Sequence, residues 1–151
     1  MASKAHALWL AAIAFALTFT PAALADDTNR SAIRGPDGIV GEWWTHERDG
    51  RIRFYRYRDG TYRGVVAWSK HPKLDTENDD PKLRTRPIVG IVMMWKLRYE
   101  DGEYEDGYVY NPEDGNVYRF DAKVLSRDKL EIHGYLGIAL LGESHVWTRY
   151  R

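Results

Sequence analysis

The sequence predicts an all-β domain in which a single antiparallel meander closes into a small barrel. From Ile39 onward, eight runs rich in Val, Ile, Tyr, Phe and Trp are separated by turn residues, and no segment has a convincing helical period. Asp-Gly dipeptides between the runs supply the positive φ that tight hairpin turns need. About eight strands in some 113 residues hide their edges either by closure or by packing two sheets together, and we favour closure.

The predicted strands cover residues 39–46, 51–57, 61–68, 88–98, 107–111, 116–125, 129–135 and 144–150. The turn dipeptides are Asp49-Gly50, Asp59-Gly60, Asp101-Gly102, Asp106-Gly107 and Asp114-Gly115. Alternation is clearest in the sixth run, where Tyr118, Phe120, Ala122 and Val124 share one face, as in a strand with one buried face. The segment 137–142 is either a short helix or an apolar loop that plugs one end.

The first 25 residues are typical of a secretory signal peptide. A lysine and a histidine precede an apolar run over residues 8–19, and the small-residue pattern Ala23-Leu24-Ala25 follows. Because a membrane span needs about 20 apolar residues, we predict cleavage after Ala25 rather than an anchor. The mature protein is then expected in the periplasm or secreted, with no transmembrane anchor after cleavage.

The composition of the mature chain excludes several classes of site. The protein has no cysteine, so disulfides, thiol catalysis and zinc-thiolate sites are excluded. Cleavage removes one lysine and no acid from 22 Lys+Arg and 22 Asp+Glu, which leaves a net charge of −1 and no general attraction to nucleic acid. We predict a disordered polar leader over residues 26–38 and a β-barrel domain over 39–151.

The two ends of the domain carry residues that support closure. Gly41-Glu42-Trp43 opens the first strand and Trp147-Thr148-Arg149 lies in the last. A closed meander places them side by side, where a guanidinium stacked on an indole contributes about 1 kcal/mol. The Gly-x-Trp and the late arginine are together similar to the paired signature of lipocalin-type barrels.

The polar segment 75–90 divides the two groups of strands and predicts a functional loop or lid. Arg84 and Arg86 are one residue apart, so in an extended segment they project to one side and can clamp a carboxylate or phosphate. The alternative, which we favour, is that they pair with the loop's own acids, which are Asp75, Glu77, Asp79 and Asp80. Acids at alternate positions resemble the first ligands of a calcium-binding loop, but the segment lacks the glycine and the closing glutamate of that motif. No metal site is therefore predicted.

No pattern in the chain supports catalysis. His71, His133 and His145 have no metal-ligand spacing, and Ser144-His145 lacks a Gly-x-Ser-x-Gly elbow. The arginines and tyrosines of 48–63 suit single-stranded nucleic acid, but predicted export favours a solvated face or an anionic envelope partner. We therefore predict no catalytic residue, no cofactor and no nucleic-acid partner, and an enzyme is the less favoured hypothesis.

Motifs along nearly the whole mature chain form an ordered set. They are Gly64 and Trp68; Asp75, Asn78, Pro81, Arg84, Arg86, Pro87 and Gly90; Gly107, Tyr110, Pro112, Asp114, Gly115 and Tyr118; and Gly134, Tyr135, Gly137, Leu141, Gly142, Trp147, Thr148 and Arg149. The set resembles the small exported bacterial proteins known as domain of unknown function 2147. The resemblance implies a signal peptide, an envelope location and a barrel of the lipocalin or calycin type, but no established activity. Asn111 and Glu143-Ser144 depart from the common pattern.

The leading functional hypothesis is a non-enzymatic envelope protein that binds a small hydrophobic or amphiphilic ligand inside the barrel. The predicted lining residues are Trp43, Trp68, Trp95, Tyr110 and Tyr118, with Arg84 and Arg86 at the rim for a polar head. A barrel of this strand number is either filled by side chains or holds one small ligand. The alternative is a filled barrel that acts as an envelope interaction or stress module through the 75–87 loop.

Overall fold

The computed structural model describes residues 35–134 and 144–151, which form a closed antiparallel barrel of eight strands. This confirms the predicted fold class. Each strand pairs with the next along the chain, and the last pairs back with the first. The strands are β1 (Gly41–Trp44), β2 (Gly50–Arg56), β3 (Tyr62–Ser69), β4 (Val92–Glu100), β5 (Glu103–Tyr110), β6 (Val117–Ser126), β7 (Lys129–Gly134) and β8 (Ser144–Arg149). A short 3-10 helix, Pro81–Leu83, lies in the connection between β3 and β4.

Inward-facing side chains form the core of the barrel because each strand alternates between its two faces. In β6, Phe120 and Ala122 are buried whereas Arg119 and Lys123 are exposed, as the alternation predicts. The buried core draws on all eight strands, and its most deeply buried aliphatic side chains include Leu97 of β4.

The dipeptide Asp106-Gly107 is not a turn, contrary to the sequence prediction, and β5 begins four residues earlier than predicted. Both residues lie inside β5, where the register with β6 shifts between Tyr104 and Gly107. Asp106 takes a positive φ of 59°, so the dipeptide forms a bulge rather than a reversal. A Cβ on Gly107 would lie 2.5 Å from the ring of Phe120. Here glycine is required by close packing rather than by a turn.

The seam between β1 and β8 has the predicted contact. Trp43 is the register partner of Arg149, whose guanidinium carbon lies 4.0 Å from the centre of the indole. The guanidinium also donates to the carbonyls of Gly38, Val40 and Arg127 at 2.6–3.0 Å. Arg149 thereby joins the first strand, the last strand and the β6–β7 turn at one end of the barrel, which we call the closed end.

Gly41 gives this guanidinium the space it occupies. Its φ is 125°, a conformation that side chains disfavour, and a Cβ there would lie 2.6 Å from a terminal nitrogen of Arg149. The glycine of the Gly-x-Trp motif is therefore explained by the arginine that lies against it.

Residues 35–38 are part of the packed fold, although the sequence analysis placed them in the leader. They form turns over the closed end, where the hydroxyl of Tyr104 donates to the carbonyl of Pro36 and accepts from the amide of Ile39. Burial raises the pKa of this tyrosine far above its ordinary value. The predicted signal peptide, the leader up to residue 34 and the 137–142 segment lie outside the described residues. Within the described ranges, no helix is long and apolar enough to cross a membrane.

We expect Arg149→Lys to lower the free energy of unfolding by about 2 kcal/mol, measured by urea titration of the mature protein. A lysine keeps the charge, but its single nitrogen cannot reach three carbonyls and stack on an indole at once. Arg151→Lys is the matched control, because Arg151 is exposed and pairs with Asp128 at the surface. Equal effects of the two substitutions would contradict the role given to Arg149.

Candidate functional site

The end of the barrel opposite Arg149 contains an apolar cavity of about 340 Å³. We call this end the mouth. The described residues that line the cavity are Met93, Met94, Val109, Tyr110, Asn111, Pro112, Phe120, Ile132, Gly134, His145 and Trp147. Most of them are hydrophobic or aromatic, and Asn111, His145 and the hydroxyl of Tyr110 are the polar side-chain groups in the set.

Much of the lining comes from inward-facing positions on five neighbouring strands, β4 to β8. Met94 of β4 and Val109 of β5 are register partners, and so are Ile132 of β7 and His145 of β8. Phe120 of β6 closes the wall between these two pairs. These inward positions surround the open space at the mouth.

The long β3–β4 connection is tied to the cavity wall through a buried carboxylate. Asp75 has no exposed surface. One of its oxygens accepts from the hydroxyl of Tyr110 at 2.6 Å, and the other accepts from the amide of Asn78 at 2.8 Å and from the guanidinium of Arg86 at 2.8 and 2.9 Å. We call these four residues the Asp75 clamp. Because Tyr110 also lines the cavity, the clamp and the cavity share one side chain.

The electrostatics of the clamp favour the ionised carboxylate. Burial raises the pKa of Asp75, but hydrogen bonds from Tyr110, Arg86 and Asn78 outweigh it and hold the pKa below its ordinary value. Burial and the bond to Asp75 raise the pKa of Tyr110. A tyrosine that stays protonated and donates to a carboxylate is a structural link rather than a proton acceptor.

Further contacts hold the β3–β4 connection against the β5–β6 connection. Leu74 and Pro87 form an isolated antiparallel bridge that closes the base of the loop. Lys73 pairs with Glu113 of the β5–β6 connection. A Cβ on Gly115 would lie 2.1 Å from the carbonyl oxygen of Glu77, so the two connections are in direct backbone contact.

The predicted rim arginines point to different partners. Arg86 pairs with Asp75, as the favoured alternative expected. Arg84 donates to the carbonyl of Asn78 at 2.7 Å and follows the 3-10 helix with helical φ and ψ. Because the segment is not extended there, the reasoning that placed both guanidiniums on one side does not hold. The two guanidiniums therefore have separate partners within the loop, and a contact of either with a ligand stays a prediction.

Of the five predicted lining aromatics, Tyr110 lines the cavity. Trp43 is fully buried at the closed end, where its indole nitrogen donates to the carbonyl of Ile39 at 2.8 Å. Tyr118 is half-buried against the core and donates to Asp114 at 2.5 Å. Whether any of the seven predicted residues touches a ligand stays a prediction, but these positions move the expected contacts away from Trp43 and Tyr118.

Trp68 and Trp95 lie on the outer surface of the barrel. A register shift between Arg51 and Ile52 places Trp68 opposite Arg51, and Trp68 packs edge-on against Trp44. Trp95 is the register partner of Tyr108 and stacks on it with ring centres 6.1 Å apart. Neither indole lines the cavity, because irregular registers in β3 and β4 break the alternation from which an inward direction would be inferred.

Sequence reasoning missed most of the actual lining. Met93, Met94, Ile132 and His145 are not among the predicted ligand contacts, and Trp147 enters the sequence predictions only in the last-strand motif and the family motif set. These residues can be identified only from the pairing registers, which show which positions on adjacent strands face inward side by side. Aromatic content alone did not separate the wall from the outer surface.

The histidines do not assemble a metal centre in the described part of the chain, where no three His, Cys, Asp or Glu residues are grouped suitably. His133 lies on the outer face, where its Nδ1 is 3.2 Å from the hydroxyl of Ser144. His71 is exposed in the β3–β4 connection. His145 instead faces the cavity, and the ring of His46 lies against it with centroids 5.3 Å apart.

We expect Tyr110→Phe to lower the free energy of unfolding by about 2 kcal/mol at pH 7, because a buried carboxylate loses one donor. The difference in unfolding free energy should become smaller as the pH falls through the lowered pKa of Asp75. The hydroxyl of Tyr110 stabilises the ionised carboxylate more than the protonated carboxyl. Tyr118→Phe is the matched control and should change stability little, because its partner Asp114 is exposed. Urea titrations at pH 7 and pH 3 measure both; a Tyr110→Phe effect no larger than the control would contradict the clamp.

Comparisons with known proteins agree with this architecture. A family model described as an uncharacterised protein conserved in bacteria, DUF2147, matches residues 41–149. Among solved structures, protein HP1028 from the human pathogen Helicobacter pylori, which belongs to the lipocalin family, is similar with a TM-score of 0.65 and 24% identity. The match covers 75% of this chain and 83% of that one, and at this identity it establishes the fold alone. A search of curated proteins finds no match. The chain belongs to the DUF2147 family of bacterial proteins and has a lipocalin-like barrel.

Proposed function

We propose that this protein binds one small hydrophobic or amphiphilic molecule in the cavity at the mouth of the barrel, and that it does so in the cell envelope after export. The observation that carries the proposal is the apolar cavity of about 340 Å³ inside a closed barrel. Ligand sites are typically concave, mostly apolar and about 300–1,000 Å³ in volume, with a few polar groups that orient the ligand. The cavity has each of these properties.

The composition of the wall supports an apolar ligand without a rigid shape requirement. Met93 and Met94 supply flexible, polarisable thioethers that adapt to irregular surfaces. Phe120 and Trp147 supply ring surface on the opposite side. Transfer of apolar ligand surface from water into such a wall is favourable by about 25 cal/mol per Å².

The cavity is a better candidate than the 75–87 loop for the main site. In the loop, the hydrogen bonds of Arg86 are directed at Asp75, and Arg84 donates to a backbone carbonyl, so much of the loop's polarity serves its own folding. These contacts support a loop that is held in one shape beside the mouth. A surface-acting module is therefore the second hypothesis and has less support.

Ligand entry is expected to depend on the cavity wall rather than on the outer surface, and two Val→Phe substitutions separate these. Val109→Phe adds a ring at a buried lining position, whereas Val117→Phe adds the same ring at a position 51% exposed. We expect Val109→Phe to weaken binding of an environment-sensitive fatty-acid probe at least tenfold, and Val117→Phe to leave it unchanged. The readout is saturable energy transfer from tryptophan to the probe, with circular dichroism to verify folding.

Two results would contradict the cavity proposal. One is wild-type affinity in a folded Val109→Phe variant, which would place the probe elsewhere. The other is no saturable binding by the wild type to this probe or to short-chain alcohols, which would mean that side chains and water satisfy the cavity and that the loop hypothesis takes precedence.

The envelope location is supported by the signal-peptide pattern of residues 1–25. Expression of the full chain in a Gram-negative host should yield a periplasmic protein whose N-terminal residue is Asp26, as read by intact-mass spectrometry of the shock fluid. Replacing two leucines of the apolar run with arginine is the control and should keep the chain uncleaved in the cytoplasm. An uncleaved wild-type chain in the cytoplasm would overturn the location.

A further inference from the structure

A pair of histidines marks the mouth of the cavity. His145 lies on β8, is the register partner of Ile132 and lines the cavity. His46 follows β1, is exposed, and places its ring against His145 with centroids 5.3 Å apart and planes tilted by 55°. His145 therefore faces the cavity, while the exposed ring of His46 lies against it.

His145 is the imidazole among the described residues that line the cavity. Among the described residues around the cavity, Tyr110 is the other titratable group, and its hydroxyl is donated to Asp75. Asn111 is polar but uncharged. An imidazole gains a charge in the range where other side chains do not. A polar head at the mouth thus meets two adjacent imidazoles, whereas a tail extending inward meets methionine, phenylalanine and tryptophan.

We propose that His46 and His145 bind the carboxylate head of an anionic amphiphile whose hydrocarbon tail occupies the cavity. This inference rests on the proposed function and names the class of ligand. Two imidazole N–H groups can donate to the two oxygens of one carboxylate, and protonation of either ring adds a charge-assisted bond. The exposed side of His46 leaves the head partly hydrated, so the charge is not taken fully out of water.

Charged groups near the pair are engaged elsewhere or lie on other faces. The described charged or titratable residues nearest to the pair along the chain and in register are Glu47, Arg48, Asp49, Glu131 and His133. The guanidinium of Arg48 lies over the ring of Trp44, and Asp49 accepts from Thr45. His133 contacts Ser144 on the outer face of the barrel. Glu131 is two residues before His133 in β7 and lies on the same outer face. Glu47 is exposed and follows His46 directly in the sequence.

The proposal has a defined pH dependence. A bound carboxylate favours the charged form of an imidazole, so binding and proton uptake support each other. Affinity for a carboxylate should rise as the pH falls from 8 to 6, about tenfold for each unit by which the bound ligand raises the pKa of a ring. A carboxylic acid head stays ionised over this range. A neutral alcohol with the same tail should show no such rise.

Calorimetric titration of the mature protein with decanoate and with 1-decanol, at pH 6, 7 and 8, tests this inference. For the wild type we expect decanoate affinity to rise about tenfold from pH 8 to pH 6 and decanol affinity to stay constant. His46→Gln with His145→Gln should abolish the rise while decanol still binds. His71→Gln is the matched control, because His71 is exposed away from the cavity, and it should behave as wild type.

Each outcome separates this inference from the proposed function. Decanol binding with no pH dependence for decanoate would overturn the histidine site and leave the apolar cavity intact. A pH dependence that survives in the double glutamine variant would also overturn it, since other groups would then recognise the head. Binding of neither compound by the wild type would overturn the inference together with the proposed function. If the double variant does not bind decanol, each single variant is titrated with decanol. Loss of decanol binding in both single variants would overturn the proposal, because the histidines would then form part of the apolar wall rather than bind the carboxylate.

Discussion

The packing of the Arg149 guanidinium on Trp43 is the interaction on which the closed barrel depends. An eight-strand meander has two free edges until its first and last strands pair, and unpaired edges expose a row of backbone donors and acceptors. The pairing of β1 with β8 is short, with Trp43 and Trp44 opposite Arg149 and Thr148. The guanidinium extends this junction sideways by donating to three backbone carbonyls, including Gly38 before β1. Arg149 therefore adds three backbone contacts to a short ladder.

Closure by Arg149 makes the two ends of the barrel unequal. At the closed end, Trp43, Tyr62 and Tyr104 are fully buried, and the turns of residues 35–38 lie over them. At the mouth, methionines, aliphatic side chains and the rings of Tyr110, Phe120 and Trp147 surround a cavity. The proposed ligand site is thus the part of the interior that remains open at the mouth.

The Asp75 clamp connects the long β3–β4 connection to the cavity wall. The ring of Tyr110 lies in the cavity wall and its hydroxyl donates to Asp75. A displacement of the ring would therefore change the hydrogen bond that holds the β3–β4 connection. A polar segment of this length is costly to order, and the buried carboxylate with its three partners offsets that cost. Arg86 was one of the predicted ligand contacts at the rim. In the structure its guanidinium neutralises the carboxylate of Asp75.

The outer surface explains why aromatic residues were poor guides to the interior. Arg51 lies among Trp44, Trp68 and Tyr150, with its guanidinium carbon 4.0 Å from the centre of the tyrosine ring. Such cation–π packing covers the β1–β8 seam from outside. The rings involved lie on the outer surface and do not line the interior. Large rings stabilise a sheet on either face, so their presence in a strand does not reveal which face they occupy.

The sequence by itself determined the fold class, the strand count and the Arg149–Trp43 seam, because these follow from local alternation, turn chemistry and the two ends of a meander. It also pointed to Tyr110 and to internal pairing of Arg86. Only the tertiary structure decided which residues form the cavity wall. Bulges such as the one at Asp106-Gly107, and the register shift that turns Trp68 outward, change the facing of every later residue in a strand by one position. The approach of His46 to His145 likewise depends on the β1–β8 closure, which brings together residues 99 positions apart in the sequence.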